Sequence, residues 1–380
     1  MNDKVIYNCH AHIFTNKNLP NRFIRPYIVP ALRFTPLRWI LNYPFRWILN
    51  FLLWISPLDD HGYFDRLSAF IKTAHQDEAE NLKNLIDYYP EGSRFVILPM
   101  DFEYMRAGNI KEDIVQQHDK LAELARQHPE VVIPFAHIDP RRGDALKMLV
   151  DLFDEHGFKG VKIYPTLGYK PNHPTLMNEI YPYMMKKNIP LMAHCSKGSV
   201  NIRTWCKEDA YDCAHPRHYV SVMKKYPDLR ICLAHFGGNR EWKYHRDTPG
   251  DQNPPSWLRC ICELINSGQF DNLYVDVSHT IMNYRENHAL LCVLLEANPK
   301  IAKKVLFGSD FYAGEKMKYT EKMISIDLRH ALGEESFWKI AYDNPIAYLE
   351  GKKEEDQDIF GGLIVSEVLQ RAKEQNAEVS

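Results

Sequence analysis

Eight short apolar segments recur along the chain, and amphipathic segments with helical spacing separate them. The apolar segments cover 5–9, 95–99, 131–136, 160–164, 190–193, 229–234, 273–277 and 304–307. Near-continuous apolar runs of this length are typical of strands buried on both faces of a parallel sheet. Helices are predicted between them over 112–126, 144–156, 175–187, 218–225, 257–265 and 286–296. This alternation predicts βαβ units, and eight units predict a (β/α)8 TIM barrel.

An open, doubly wound α/β sheet is the alternative to the closed barrel. Such sheets commonly carry a glycine-rich phosphate loop after a strand, and no GxGxxG or GxxxxGK[ST] motif follows any strand here. We therefore expect one barrel domain over 1–350, followed by a charged tail over 351–380. Two segments fall outside the alternation, namely an aromatic insertion over 19–60 and a polar, proline-rich stretch over 241–257 that we expect to be a loop.

Composition and charge argue against a nucleic-acid-binding protein and against a secreted one. The formal net charge is -2, and no basic tract indicates nucleic-acid binding. The eight cysteines form no CxxC pair and several lie in strand-like runs, which is typical of reduced core thiols in a cytoplasmic protein. The first residues lack the pattern of a signal peptide.

The aromatic insertion over 19–60 repeats the sequence RWILN at 38–42 and 46–50. Its longest stretch without proline or charge, 47–56, is far shorter than the roughly 20 residues that span a bilayer. A lid over the barrel mouth and a homodimer interface are the favoured interpretations, because exposed Trp and Leu at this density would otherwise aggregate. Peripheral contact with a membrane surface is less favoured.

Five polar residues stand at the ends of predicted strands. His10 and His12 end the first strand, His194 the fifth and His235 the sixth, while Asp310 follows the eighth. His10 and His12 are two residues apart, so their side chains share one strand face and can reach one cation. Because barrel active sites lie at the carboxyl ends of the strands, the whole set predicts a metal site there.

The ordered set HxH, His, His and GSD, with GFKGVKIYP and NPIAYL, resembles the amidohydrolase superfamily. More narrowly it resembles the amidohydrolase-related group that includes aminocarboxymuconate-semialdehyde decarboxylase. The resemblance implies that His10, His12, His194 and Asp310 hold one divalent metal, for which Zn is expected and Mn, Fe or Co would also fit. It further implies catalytic roles for His235, as a base or substrate-orienting group, and for Asp310, as a proton shuttle.

Several other residues are candidates for the pocket. Lys162 stands where some superfamily members carry a carbamylated lysine between two metals, but it could equally bind a substrate carboxylate or form an ion pair. Tyr164 shares its strand face. Arg240 follows His235 on a loop and could clamp a carboxylate, although a solvated arginine is as good an interpretation. Asp276 and Ser278 lie on one face of the seventh strand.

The sequence therefore favours a metal-dependent hydrolase that acts on a C–N or C–O bond of a small carbonyl substrate through a metal-activated water. A non-oxidative decarboxylase of an aromatic or unsaturated carboxylic acid is the alternative on the same site. A metal-bound scaffold that docks through the aromatic insertion is a hypothesis of another class. The substrate itself cannot be read from the residues, because specificity lies in loops.

Overall fold

Eight parallel strands form one sheet, and strands that follow each other in sequence are neighbours in space. The structure is a computed structural model that describes residues 4–23, 73, 76–198, 200–248, 250, 253–282, 284–311 and 320–351. The strands are β1 (Tyr7–Ala11), β2 (Arg94–Ile97), β3 (Val132–His137), β4 (Gly160–Ile163), β5 (Leu191–Ser196), β6 (Ile231–Gly237), β7 (Leu273–Asp276) and β8 (Val305–Leu306). Beside β8, the Cys9 amide donates to the Phe307 carbonyl at 2.8 Å and the Asp310 amide to the His10 carbonyl at 2.8 Å. The last strand thus returns to the first, and the predicted (β/α)8 barrel is confirmed.

Helices follow the strands, as the amphipathic segments predicted. They are α1 (Glu78–Asp87), α2 (Ile114–Gln127), α3 (Ala145–Asp154), α4 (Tyr181–Lys186), α5 (Lys207–Asp212), α6 (Tyr219–Lys225), α7 (Asn239–Asp247), α8 (Trp257–Asn266), α9 (Tyr284–Ala297), α10 (Pro299–Ala302), α11 (Glu321–Trp338) and α12 (Asn344–Glu350). Leu176–Ile180 and Lys339–Asp343 are π-helical turns before α4 and α12. Asp113 caps α2 with a reciprocal bond to Gln116, which satisfies amides that the helix leaves unpaired.

The lower barrel interior is apolar and closely packed. Side chains from seven strands form one cluster there: Tyr7, Cys9, Val96, Leu98, Phe135, Met192, Cys232, Ala234, Tyr274 and Leu306. On β4 the corresponding position is Gly160, where an added Cβ would lie 2.2 Å from the Phe135 ring. Glycine is therefore required on β4, because Phe135 occupies the space of its side chain.

The last helix packs against the bottom of the barrel. Tyr348 of α12 joins the interior cluster. Arg230, which precedes β6, donates from Nε to the Tyr348 carbonyl at 2.6 Å and from Nη2 to the Leu349 carbonyl at 3.3 Å. A cation at these terminal carbonyls complements the negative end of the helix. Arg230 thus holds α12 in place below the strands.

The structure contradicts one expectation from the sequence, and two others concern residues that it does not describe. The expected loop over 241–257 was wrong in part, because α7 covers Asn239–Asp247. Its polar composition conceals one buried anchor, Trp242, whose Nε1 donates to the Phe236 carbonyl at 2.9 Å. Most of the aromatic insertion (24–60) and the tail (352–380) lie outside the described residues. The division into a catalytic domain over 1–350 and a tail over 351–380 therefore stays a prediction.

None of the helices in the described ranges combines the length and the apolar character that crossing a membrane requires.

Candidate active site

Three predicted metal ligands meet at the carboxyl end of the barrel. Nε2 of His12 lies 3.3 Å from Oδ1 of Asp310, and Nε2 of His10 lies 3.6 Å from the same oxygen. The potential ligand atoms of all three residues fall within 4.8 Å of one another, and all three residues are buried. The first strand and the segment after the last strand supply them, so closure of the barrel creates the group.

Asn8 joins these two segments. Its Oδ1 accepts from the Ser309 amide at 3.1 Å and from the His10 amide at 3.2 Å, while its Nδ2 donates to Ser309 Oγ at 2.8 Å. Between Asn8 and Ala11 the register of β1 against β2 shifts. The irregularity lets His10 face the site although its neighbour Cys9 points into the interior cluster. In a regular strand, the adjacent residues Cys9 and His10 would point to opposite faces, so only one of them could face the barrel interior.

Hydrogen bonds on the far side of each imidazole assign its tautomer. His12 Nδ1 lies 2.7 Å from the Leu98 carbonyl, and His10 Nδ1 lies 3.0 Å from Oδ2 of Asp276. Both partners are acceptors, so each Nδ1 carries the proton and each Nε2 presents a lone pair. Those two lone pairs face the carboxylate oxygen of Asp310. Three electron-pair donors at this spacing repel one another unless a cation lies among them, so the group fits a divalent metal.

The protonation states also suit a cation. Burial lowers the pKa of His10 to about 3, and Lys162 adds to this effect, so the imidazole is neutral. Burial alone would raise the pKa of Asp310, but the contact with His12 and the neighbouring His10 and His235 hold it well below its usual range. Neutral imidazoles and an ionised carboxylate are the forms that bind metals.

Asp276 of β7 organises the opposite side of His10. Its Oδ1 accepts from the His235 amide and from the Ser278 amide, each at 3.0 Å, and from the Ser278 hydroxyl. These bonds and the His10 contact outweigh the opposing effect of burial and keep the pKa of Asp276 low. The structure thus brings Asp276 and Ser278, both weighed from the sequence, into the site as residues that orient histidines.

His194 and His235 form a second part of the site. Nε2 of His235 lies 3.1 Å from Nδ1 of His194, and Nδ1 of His235 lies 3.1 Å from the Ser278 carbonyl. The Tyr164 ring stacks on His194 at 4.0 Å with an interplanar angle of 14°. His194 therefore lies next to the group formed by His10, His12 and Asp310, and its role as a fourth ligand stays a prediction.

Lys162 of β4 lies beside His10 and is fully buried. Its Nζ is 3.5 Å from Nε2 of His10. Burial lowers the pKa of Lys162 to about 8, while Asp276 and Asp310 oppose the shift. An ammonium so placed offers positive charge to the two carboxylates or to an anionic substrate.

Two further residues bear on the site. Arg240 lies in the first turn of α7 and not on a loop, and its side chain is exposed. Substrate binding by Arg240 therefore stays a prediction. His279, which sequence analysis did not single out, follows β7 with its ring 6.3 Å from that of His235. The one sequence signal for it is its position directly after Ser278, which lies with Asp276 on one face of the seventh strand.

Solved structures with the same fold cover nearly the whole chain. A 2,6-dihydroxybenzoate decarboxylase from Rhizobium is 17% identical, with a TM-score of 0.52 over 92% of this chain and 99% of its own. A 5-carboxyvanillate decarboxylase from Novosphingobium aromaticivorans DSM 12444, holding manganese and a nitrobenzoic acid, is 13% identical, with a TM-score of 0.55 over 92% and 97%. A dihydroxybenzoic acid decarboxylase from Polaromonas sp. JS666, holding manganese and 2-nitroresorcinol, is 16% identical, with a TM-score of 0.51 over 93% and 98%.

The comparison with curated proteins gave no significant match. The sequence profile of the family described as Amidohydrolase, however, matches residues 8–350. That span runs from Asn8, beside the HxH motif, to the end of α12, so it contains every strand end discussed above. The resemblance to the amidohydrolase superfamily is therefore confirmed, and the chain belongs to this family of enzymes.

Proposed function

We propose that the protein is a metal-dependent, non-oxidative decarboxylase of an aromatic or unsaturated carboxylic acid. The observation that carries the proposal is the group of His10, His12 and Asp310, whose electron-pair donors face one another at the barrel mouth. The reaction type is supported by the three similar solved structures, which are decarboxylases of aromatic acids. This reading replaces the hydrolase that the sequence favoured.

One divalent cation would be held by His10, His12 and Asp310, with His194 as the fourth ligand. Manganese is proposed first, because two of the similar structures hold it, and Zn is retained from the sequence. Bound there, the cation would supply Lewis-acid charge that binds and polarises oxygen atoms of the acid. The lysine Nζ near His10 would add positive charge for a carboxylate, which favours Lys162 as a substrate-binding residue rather than a carbamate.

The remaining residues would orient the acid and move one proton. Decarboxylation adds a proton to the ring carbon that bears the carboxylate; the carbon–carbon bond then breaks, its electron pair restores the ring, and carbon dioxide leaves. His235 and Asp310 would carry that proton, because both lie beside His10, next to the proposed metal site. The Tyr164 ring would offer an apolar surface to a planar substrate.

Hydrolysis is the second candidate, and the family description favours it. In that case His235 would act as a base toward water and Asp310 would pass the proton to the leaving group. The substrate would be a small amide, ester or lactone. Both reactions need the same ligands, so the geometry of His10, His12 and Asp310 does not separate them.

The test measures carbon dioxide release from a panel of hydroxybenzoates and unsaturated acids, and hydrolysis of a panel of amides, esters and lactones. The protein is loaded with manganese or with zinc, and metal content is measured in parallel. We expect carbon dioxide release that disappears in Asp310→Asn, and metal loss in the double variant His10→Ala/His12→Ala. Hydrolysis without carbon dioxide release would overturn the decarboxylase proposal.

A matched control is Asp154→Asn, because Asp154 is an exposed carboxylate that pairs with Lys187 far from the barrel mouth. Its activity should equal that of the wild type. Equal loss in both variants would indicate instability rather than chemistry. A folded wild-type protein that binds no metal would contradict the site assignment itself.

Several expectations from the sequence remain part of the proposal. They are a cytoplasmic location, a homodimer, and a lid or dimer role for the insertion over 19–60. Small-molecule substrates are supported by the aromatic acids and inhibitors bound in the similar structures.

A further inference from the structure

His279 occupies an unusual backbone position directly beside the proposed active site. Its φ is +57°, in the left-handed region that side chains other than glycine rarely adopt. The Thr280 amide donates to the Ser278 carbonyl at 2.6 Å and closes a three-residue turn with His279 at its centre. Such turns with positive φ are rare and strained.

Both neighbours of His279 are fastened to His235. The Ser278 carbonyl lies 3.1 Å from His235 Nδ1, and Thr280 Oγ1 donates to the His235 carbonyl at 2.6 Å. Asn287 holds the turn from outside by donating to the Thr280 carbonyl at 2.6 Å. These hydrogen bonds hold the turn against His235, so His279 has a fixed position relative to that residue. Strained residues persist where their surroundings over-determine them, and they cluster at functional sites.

The side chain of His279 is available to a ligand. It is partly exposed, whereas His10, His194 and His235 are buried. Its ring stands edge-on to His235, with centroids 6.3 Å apart and planes at 81°. Among the described residues no hydrogen bond reaches its imidazole nitrogens. Two imidazoles at this separation can contact the same small planar acid.

We propose that His279 is a second substrate-binding histidine, which donates a hydrogen bond to an oxygen of the aromatic acid while His235 faces the reacting carbon. The inference rests on the proposed decarboxylase function and adds a specificity-determining residue to it. An imidazole at this place suits acids that carry an oxygen substituent beside the carboxylate. The strained turn places the imidazole beside His235, whereas an extended continuation of β7 would give it another direction.

Two variants separate binding from structure. His279→Gly removes the imidazole and also relieves the positive φ, so it should leave the unfolding midpoint unchanged or raise it. His279→Asn keeps a residue that tolerates this φ and retains a shorter amide donor. His156→Asn is the control, because His156 is a partly exposed histidine that pairs with Asp151 on α3.

The experiment measures binding of 2-nitroresorcinol, which has no carboxylate to lose, to manganese-loaded protein by calorimetry. Turnover of 2,6-dihydroxybenzoate is measured in parallel, together with metal content and unfolding midpoint. For His279→Gly we expect binding weaker by about ten- to a hundredfold and a comparable rise in KM, with metal content unchanged. His279→Asn should recover part of the loss, and His156→Asn should match the wild type.

Unchanged binding and KM in His279→Gly would overturn the inference. So would a lower unfolding midpoint with proportionate loss of metal, since that result indicates a structural role. If the wild type binds 2-nitroresorcinol but releases no carbon dioxide, the decarboxylase proposal fails and the binding data alone decide the role of His279. If the wild type neither binds 2-nitroresorcinol nor releases carbon dioxide, both proposals fall.

Discussion

Replacing Asp276 by asparagine should weaken metal binding without removing any ligand. In the wild type, Oδ1 of Asp276 accepts two backbone amides while Oδ2 accepts from His10 Nδ1 at 3.0 Å. An asparagine Oδ1 can keep the backbone bonds, so its Nδ2 must face His10. The asparagine Nδ2 and the His10 Nδ1 would then both be hydrogen-bond donors, so no hydrogen bond could form between them. His10 either loses the bond or moves its proton to Nε2, the nitrogen that faces Asp310.

The magnitude follows from the bond that is lost. A hydrogen bond to a charged group contributes about 1.5–3 kcal/mol, which corresponds to roughly 10–100-fold in metal affinity. Competition with a graded chelator, followed by elemental analysis, measures the affinity of Asp276→Asn against the wild type. Asp154→Asn is the control, because it makes the same change from carboxylate to amide at an exposed residue that pairs with Lys187. Equal metal affinity in Asp276→Asn and wild type would show that Asp276 does not set the tautomer of His10.

Three further predictions concern stability. Gly160→Ala should destabilise the protein by about 3 kcal/mol or more in urea unfolding, since its Cβ would lie 2.2 Å from the Phe135 ring; an unchanged midpoint would contradict this packing. Asn8→Ala should cost about 3 kcal/mol, because buried amides at the junction of first and last strands lose their acceptor, and the same urea assay tests it. Burial lowers the pKa of His118 to about 3 and of His137 to about 4, so both are neutral in the folded protein. The free energy of unfolding should therefore be highest above pH 6.5 and fall as the pH drops toward 4. At pH 5.5 the loss should be about 1.4 kcal/mol per histidine. His118→Gln should reduce the fall by about 1.4 kcal/mol at pH 5.5, the share of one histidine, and an unaltered pH profile would refute the assignment.

The sequence predicted the barrel and the main site residues for one physical reason. Parallel strands buried on both faces give continuous apolar runs, and the polar residue that ends such a run must lie at the rim. His10, His12 and Asp310 could therefore be placed together before any coordinates. The resemblance pointed to Lys162, and two-residue alternation added Tyr164. In the structure Lys162 contacts His10 and Tyr164 stacks on His194.

What could not be predicted depends on backbone conformations that leave no pattern of hydrophobicity. His279, which was not predicted, has a φ of 57°. His235 and Asp310 were predicted from their places after strands, but their positive φ values of 66° and 62° were not. Their side chains reach the site through turns that strand alternation does not describe. The helix α7 was missed because its polar surface hides a single buried tryptophan, Trp242, and Arg240 was consequently placed on a loop.

The bond between Asn8 and Ser309 has a consequence for how the protein is made. The two residues are 301 positions apart. At 5–20 residues per second, roughly 15–60 s pass on the ribosome between their synthesis. Throughout that interval the first strand has an unpaired edge, and exposed strand edges are templates for association with other chains. Non-local pairing of this kind also slows folding. The segment that carries two metal ligands is thus made long before the segment that protects its edge, and during that interval it is open to association with other chains.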